Sequence, residues 1–443
     1  MREVIREKLA DAVTAERTQL TRRDVRLPQV PRKVQAIIGM RRSGKTCFLH
    51  QCQLDRLQAG APRESLVYFN FEDDRLAGLQ GAQLPWVLEE YFLRFPQFRD
   101  QQRVTFFFDE PQVVPGWEQF IRRIIDTEKV DVFVSGSSAK LLSREVATAL
   151  RGRAMETIIY PFSFRECLRH RQEEPAGDAS FLAKAKRSAV ERAFADYLRT
   201  GGFPEAQGLE SQDRIPLLQG YVDAVVLRDV IERHGIPNVI AIRSLTRQLL
   251  GAAANLVSVH RVFNDLKSQG VSVSKDSLHA MLAHLEDAFL IRLVPIATTS
   301  ERQRQSNPRK VYPIDSGLIA AFDRTGRAHQ GYALETAVLI ELQRRRCELA
   351  YVRTPDGFEV DFLATPLSGK PMLIQVCADL SQAEVREREF RAFESARAVY
   401  RKLPGLLLTV SSTDAAAAQQ VAPPGVTVRP AWEWMLEGGD AGA

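Results

Sequence analysis

Gly39-Met40-Arg41-Arg42-Ser43-Gly44-Lys45-Thr46 decides the reading of this chain. The stretch satisfies the phosphate-loop pattern G-x-x-x-x-G-K-[ST] at every fixed position. Val34-Gln35-Ala36-Ile37-Ile38 before it is apolar and β-branched, as a buried parallel strand should be, and Cys47-Phe48-Leu49-His50-Gln51 after it continues as a helix. Glycines let the backbone turn tightly, so that successive N–H groups point into one concavity at a helix N-terminus, where the helix dipole favours anions. Residues Gly39 to Cys47 are therefore expected to bind the phosphates of ATP. Lys45 would neutralise the β- and γ-phosphates, and the Thr46 hydroxyl would ligate Mg²⁺.

Further along, Val104-Thr105-Phe106-Phe107-Phe108-Asp109-Glu110 is a strand closed by two acids. Sixty-odd residues after a phosphate loop, this spacing assigns Asp109 to Mg²⁺ and Glu110 to polarising the attacking water. Leu66 to Phe71 and Val130 to Ser138, the latter ending in small hydroxyl residues, read as two more strands, and Met155 to Ile159 as a fifth. Leu150-Arg151-Gly152-Arg153 precedes the fifth strand. Arg151 and Arg153 suit an arginine finger, in cis or from a neighbouring subunit, and equally suit a basic surface.

With 443 residues, 45% hydrophobic and 26% charged, the chain has the composition of a soluble protein of several domains. No apolar run is long enough to span a bilayer. The charged start, Met1 to Lys8, reads as a helix and not as a signal peptide. Five scattered cysteines form neither a zinc set nor a disulfide framework, which implies a cytoplasmic protein. The net charge of +5 permits nucleic-acid contact without requiring it.

Five stretches in this order carry a resemblance: the phosphate loop, Phe108-Asp109-Glu110-Pro111-Gln112, Ser135-Gly136-Ser137-Ser138, Leu150-Arg151-Gly152-Arg153, and Tyr160-Pro161-Phe162-Ser163-Phe164-Arg165-Glu166. The chain resembles the large prokaryotic family of AAA+ ATPases with a C-terminal nuclease-like domain. Gly201-Gly202-Phe203-Pro204-Glu205, Leu227 to Arg233 and Lys310 to Leu318 fit the same family. The resemblance implies a polar sensor at Ser137 or Ser138, a position that also suits a helix N-cap.

The fold expected is α/β in five parts. Residues 1–160 form the P-loop AAA+ core with a parallel sheet, 161–235 a helical lid and connector, and 236–315 a winged-helix-like segment. Residues 316–412 form a restriction-endonuclease-like α/β domain, and 413–443 a partly flexible tail. In the middle segment, helices from Ser244, Ser258 and Ser274 precede a hairpin, whose basic loop of Arg302, Arg304, Arg309 and Lys310 would either approach DNA or be merely solvated.

The order of elements after Leu334 resembles the PD-(D/E)xK nuclease fold. That resemblance places Glu335 on the first helix and Asp361 on a strand, but Gln375 and Cys377 stand where an acid and a lysine should be. This is read as a degenerate site, with Lys370 the nearest substitute cation. The functional expectation is an ATPase whose nucleotide state moves the C-terminal region. The alternatives are a DNA-binding or DNA-processing factor and a nucleotide-switched protein-interaction module with a protein client. Oligomerisation is compatible with each.

Overall fold

Phe106, Phe107 and Phe108 are consecutive and fully buried, a pattern only a strand covered on both faces can sustain. The computed structural model describes residues 1–14, 20–136, 150, 152–323, 330–401 and 403–437. The chain divides into two compact units, Met1–Ile159 and Tyr160–Ala443. Among the described residues no helix is long and apolar enough to cross a membrane.

The first unit contains α1 (Arg2–Thr14), β1 (Val34–Ile38), α2 (Lys45–Gln58), β2 (Leu66–Asn70), α3 (Pro85–Arg94), β3 (Val104–Asp109), α4 (Trp117–Thr127), β4 (Val130–Gly136) and β5 (Ala154–Ile158). All strands pair in parallel in the order β2-β3-β4-β1-β5. The sheet order thus reverses around β1, which brings the C-terminal ends of β1 and β3 to one edge, where α/β sheets bind ligands. Phe107 stacks on Phe133 at 4.9 Å, and Ile37, Phe48, Leu49 and Leu66 complete that core face. The basic start of the chain is held as well as charged: Arg2 Nε and Arg6 Nε both donate to the buried Glu90 of α3, at 2.6 and 2.9 Å.

The second unit opens with α5 (Phe164–His170), α6 (Lys184–Thr200) and α7 (Ser211–Ala224), which runs on into a π-helical turn, Val225–Glu232. Three of the family-like stretches have structural causes here. Ser163 and Glu166 form a reciprocal capping box, Glu166 N donating to Ser163 Oγ at 3.1 Å and Ser163 N to Glu166 Oε2 at 2.9 Å. Asp315 accepts from the N–H of Gly202 at 2.7 Å and of Gly317 at 2.9 Å. Gly201 (φ 75°) lies so close to Asp315 that a Cβ there would strike its carboxylate.

Next come α8 (Val239–Gly251), β6 (Leu256–Val257), α9 (Val259–Ser268), α10 (Lys275–Asp287), β7 (Ile291–Val294), α11 (Glu301–Ser306) and β8 (Arg309–Pro313). The strands are antiparallel in the order β6-β8-β7. Ser274 caps α10, its hydroxyl accepting from Ser277 N at 3.0 Å. His284 of α10 stacks on His234 with centroids 3.6 Å apart. The expected basic loop is corrected here. Its first half is a helix, Arg304 lies 3.4 Å from Glu348, and Lys310 is a strand residue only 3% exposed.

The remaining elements are α12 (Gly317–Phe322), α13 (Gln330–Arg344), β9 (Glu348–Arg353), β10 (Glu359–Thr365), β11 (Met372–Val376), α14 (Ala383–Val399), β12 (Gly405–Thr409), α15 (Ser412–Gln420), β13 (Val426–Pro430) and α16 (Ala431–Leu436). The sheet order is β13-β12-β11-β10-β9, with β9 to β11 antiparallel and β11 to β13 parallel. The stretch expected as a tail from 413 is instead built in as far as Glu437. Val426 and Val428 alternate into the core, and Trp432, Trp434, Met435 and Leu436 are buried behind them. That apolar burial, about 25 cal/mol per Å², outweighs the entropy gained by leaving the segment loose.

Candidate functional site

The loop between β1 and α2 has the geometry its glycines allow. Gly44 precedes α2 with φ 98°, and Gly39, at φ 149°, packs so tightly that a Cβ would collide with the Ile159 carbonyl oxygen. Met40 turns its side chain into the core, while Arg42, Thr46 and Cys47 are exposed. Arg41 faces Glu72 at 3.8 Å. Ser43 Oγ is buried without a hydrogen-bond partner among the described residues. Lys45 is 6% exposed, and its Nζ donates to the carbonyls of Gly39 and Met40 at 3.1 and 3.0 Å. A lysine folded back on neutral carbonyls, an orphaned hydroxyl and a helix start free of acidic residues suit incoming phosphate oxygens.

Three hydroxyls converge on Asp109. Thr46 Oγ1 donates to Oδ2 at 2.8 Å, Tyr68 O–H to the same oxygen at 2.7 Å, and Ser135 O–H to Oδ1. A threonine hydroxyl facing a carboxylate oxygen is the donor pair a hard divalent cation takes, so these residues fit Mg²⁺. Glu110 follows in a left-handed conformation, φ 52°, and accepts from Gln112 Nε2. Burial pushes the Glu110 carboxyl up to about 7, Lys45 pulling the other way. A carboxyl balanced near neutrality is suited to general-base work.

Ser137, Ser138 and Arg151 lie outside the described residues. Arg153 is described, and a cis finger role for it is corrected. It precedes β5, and its carbonyl accepts from the N–H of Val34 at the start of β1. That places it at the sheet edge opposite the loop, about 16 Å away at 3.3 Å per strand residue. There it pairs with Asp126 of α4. Tyr68, Gln112 and Ser135 escaped the sequence reading. The signal for Ser135 was register: it lies beside Asp109 on the neighbouring parallel strand.

In the second unit the structure brings together Glu335 of α13 with Asp361 of β10 and Gln375 of β11. The cation among them is Lys310 of β8; Lys370 is exposed in the turn before β11. Lys310 Nζ lies 3.1 Å from Glu335 Oε1, 2.8 Å from Asp361 Oδ1 and 2.8 Å from Glu359 Oε1. Tyr312 O–H donates to Glu335 Oε1 at 2.6 Å.

Asp361 and Gln375 are further engaged. Val376 N donates to Asp361 Oδ2 at 3.0 Å, Asp361 N donates to Gln375 Oε1 at 3.1 Å, and Gln375 Nε2 donates to Glu389 Oε2 at 2.7 Å. Cys377 turns its thiol to the Asp379 carbonyl at 3.2 Å, and burial pushes that thiol up to about 11. Burial, then the neighbouring Asp361, also pushes Glu335 upward. Burial lowers Lys310, but Asp361, Glu335 and Glu359 more than reverse this and hold it protonated. Among the described residues no three His, Cys, Asp or Glu side chains are grouped to hold a metal. A nuclease-type Mg²⁺ therefore does not fit these residues as they stand.

Residues 31–168 match the family model described as an AAA domain, and residues 191–328 match a domain of unknown function, DUF8612. The uncharacterised protein MJ1544 of Methanocaldococcus jannaschii is 32% identical over 392 residues, covering 86% of this chain and 82% of its own. An uncharacterised protein of Haemophilus influenzae is 30% identical over 333 residues, covering 75% and 79%. Among solved structures, the Walker-type ATPase PABY2304 of Pyrococcus abyssi covers 73% of this chain and 95% of its own at 15% identity and a TM-score of 0.39. Orc1 of Aeropyrum pernix, solved in complex with DNA, covers 72% and 90% at 15% identity and a TM-score of 0.27. With an AAA domain around its phosphate loop and relatives aligned over most of its length, the chain belongs to the AAA-domain protein family that includes MJ1544.

Proposed function

We propose that the first unit binds ATP with Mg²⁺ and hydrolyses it, and that its nucleotide state moves the second unit. The observation that carries this reading is the meeting of Thr46 Oγ1 and Asp109 Oδ2, 2.8 Å apart, at the mouth of a loop whose lysine rests on neutral carbonyls. Lys45 would exchange those carbonyls for phosphate oxygens. Thr46 and Asp109 would hold the cation, Asp109 through water, with Tyr68 and Ser135 fixing the carboxylate. Glu110, released from Gln112, would take the proton of the attacking water. Calorimetry of ATP binding tests the assignment: Lys45→Ala abolishes binding, whereas Glu110→Gln keeps it and slows hydrolysis. Equal affinity in wild type and Lys45→Ala overturns it. The arginine finger is left to Arg151, or to Arg153 acting in trans. A trans role makes specific activity rise with protein concentration, and a flat profile in a monomeric protein removes it.

A second reading, DNA binding, is favoured by one observation. The order α8-β6-α9-α10-β7-α11-β8 with sheet order β6-β8-β7 supports a winged-helix reading. In it α10 presents exposed Lys275 and His279, but also Asp276 and Asp287, so its face is mixed in charge. The mixed sheet β9 to β13, with Glu335 on a helix and Asp361 on a strand, supports a restriction-endonuclease-like domain that no longer cuts. Residues 161–235 then serve as lid and connector in a cytoplasmic switch that acts on DNA or on a protein client. A DNA affinity that falls steeply with salt supports the DNA reading; salt-insensitive capture of a protein supports the other.

A further inference from the structure

We infer that the Lys310 ammonium is the resident cation of the second unit's carboxylate site, standing where a divalent ion would otherwise be held, so that the native site takes no divalent cation. The inference goes beyond the ATPase reading and does not depend on it.

Three observations carry it. One Nζ lies within 3.1 Å of carboxylate oxygens from three separate residues, Glu335, Glu359 and Asp361, which arrive from α13 and β10. Such convergence of oxygens from different elements on one point is what a bound cation imposes. The lysine itself comes from neither element. It is carried in on β8, with Tyr312 two residues on along the same strand and bonded to the same Glu335. The charge count points the same way. One ammonium faces three carboxyls, of which Glu335 and Asp361 are buried and Glu359 is partly exposed, so among the described residues three carboxyl groups are set against one ammonium. Gln375, the neutral residue at the fourth corner, is spent on Asp361 N and Glu389, and adds no ligand. The ammonium keeps the oxygens at hydrogen-bond distances of 2.8 to 3.1 Å, too long for Mg²⁺, which requires about 2.0–2.1 Å. Removing the ammonium leaves three carboxyl oxygens facing one point, for a divalent ion to draw in from these distances to its own shorter ones.

The test is a Mn²⁺ titration of the full chain, without nucleotide, followed by electron paramagnetic resonance and by unfolding temperature. Wild type, Lys310→Ala, Lys310→Gln, Asp361→Asn and Lys310→Ala/Asp361→Asn are compared, so that any Mn²⁺ taken by the first unit is common to all five. Both single variants should bind one more Mn²⁺ per chain than wild type, at least about ten-fold more tightly than any binding wild type shows there. Mn²⁺ should raise their unfolding temperature, and the double variant should lose both effects. Lys310→Gln keeps the side chain's length and a donor, so it carries the test if Lys310→Ala fails to fold. Single variants that bind no more Mn²⁺ than wild type overturn the inference and leave an ordinary buried ion pair. A Mn²⁺ site in wild type that Asp361→Asn abolishes overturns it too, and makes this a metal site with Lys310 beside it.

Discussion

Each unit combines a lysine, a tyrosine hydroxyl and acidic side chains, and uses the lysine in the opposite way. In the first, Lys45 donates to two neutral carbonyls beside the Glu110 carboxyl, while Asp109 is held by the hydroxyls of Thr46, Tyr68 and Ser135. In the second, Lys310 is clamped by carboxylates, and Tyr312 closes the same cluster. A cation on neutral carbonyls can leave them for a phosphate at little cost. A buried cation held by carboxyl groups cannot leave without stranding charge in a medium of low dielectric. On the ATPase reading, similar residue types thus serve an exchangeable site in one unit and a locked one in the other.

Exchanging the lysines should break this contrast most visibly. Lys45→Ala should lower ATP affinity by more than about a hundred-fold, because Lys45 is the loop's buried cation. Its unfolding midpoint should stay near wild type. Lys310→Met should do the reverse: ATP affinity unchanged, with about 3–5 kcal/mol of stability lost in denaturant titration, as for one partner removed from a buried ion cluster. A Lys310→Met protein as stable as wild type would show that the cluster is solvated.

Glu110 sharpens the first half of the contrast. Glu110→Gln should retain nucleotide and lose about a hundred-fold in turnover. Wild-type hydrolysis should also rise with pH through about 7, because burial lifts this carboxyl from 4.5 and its ionised form is the base. The sign for stability is opposite. The folded chain holds the Glu110 proton more tightly than the unfolded chain, so this group's stabilising contribution is full below about 4.5 and is lost as pH rises through about 7. A pH–rate profile of Glu110→Gln with the same inflection would assign it elsewhere.

How far the two sites could be read from sequence follows from how local they are. The loop, β1 and the closing acids of β3 were legible because motif and strand lie within a few residues and the strands are buried on both faces. Ser135 was not, since only the parallel register puts it against Asp109. Lys310 was misread because its neighbours Arg302, Arg304 and Arg309 make it look solvated, while its partners lie 25 and 51 residues away. The available signal was alternation. Lys310 and Tyr312 share a face on the strand Lys310-Val311-Tyr312-Pro313, and a lysine on a face with a buried tyrosine needs an acidic partner. The segment after Ser411 misled through composition, its alanine run masking the strand and tryptophan-rich helix behind it.

The smallest effects expected come from the tyrosines, and they separate the two sites cleanly. Tyr68 and Tyr312 each donate one hydrogen bond to a carboxylate, at 2.7 and 2.6 Å. Tyr68 is partly exposed, and water can replace its hydroxyl, so Tyr68→Phe should leave stability within about 0.5 kcal/mol of wild type. What it removes is the orientation of the Asp109 carboxylate. The Mg²⁺ concentration for half-maximal hydrolysis should therefore rise several-fold, up to about ten-fold, with turnover at saturating Mg²⁺ nearly unchanged. Tyr312 is fully buried, and its loss leaves Glu335 short of a donor that no water can supply. Tyr312→Phe should cost about 1–3 kcal/mol of stability and leave the Mg²⁺ dependence of hydrolysis as in wild type. If Tyr312→Phe shifted the Mg²⁺ dependence, or Tyr68→Phe lowered stability as much as its counterpart, the division between an exchangeable site and a locked one would fail at its gentlest probe.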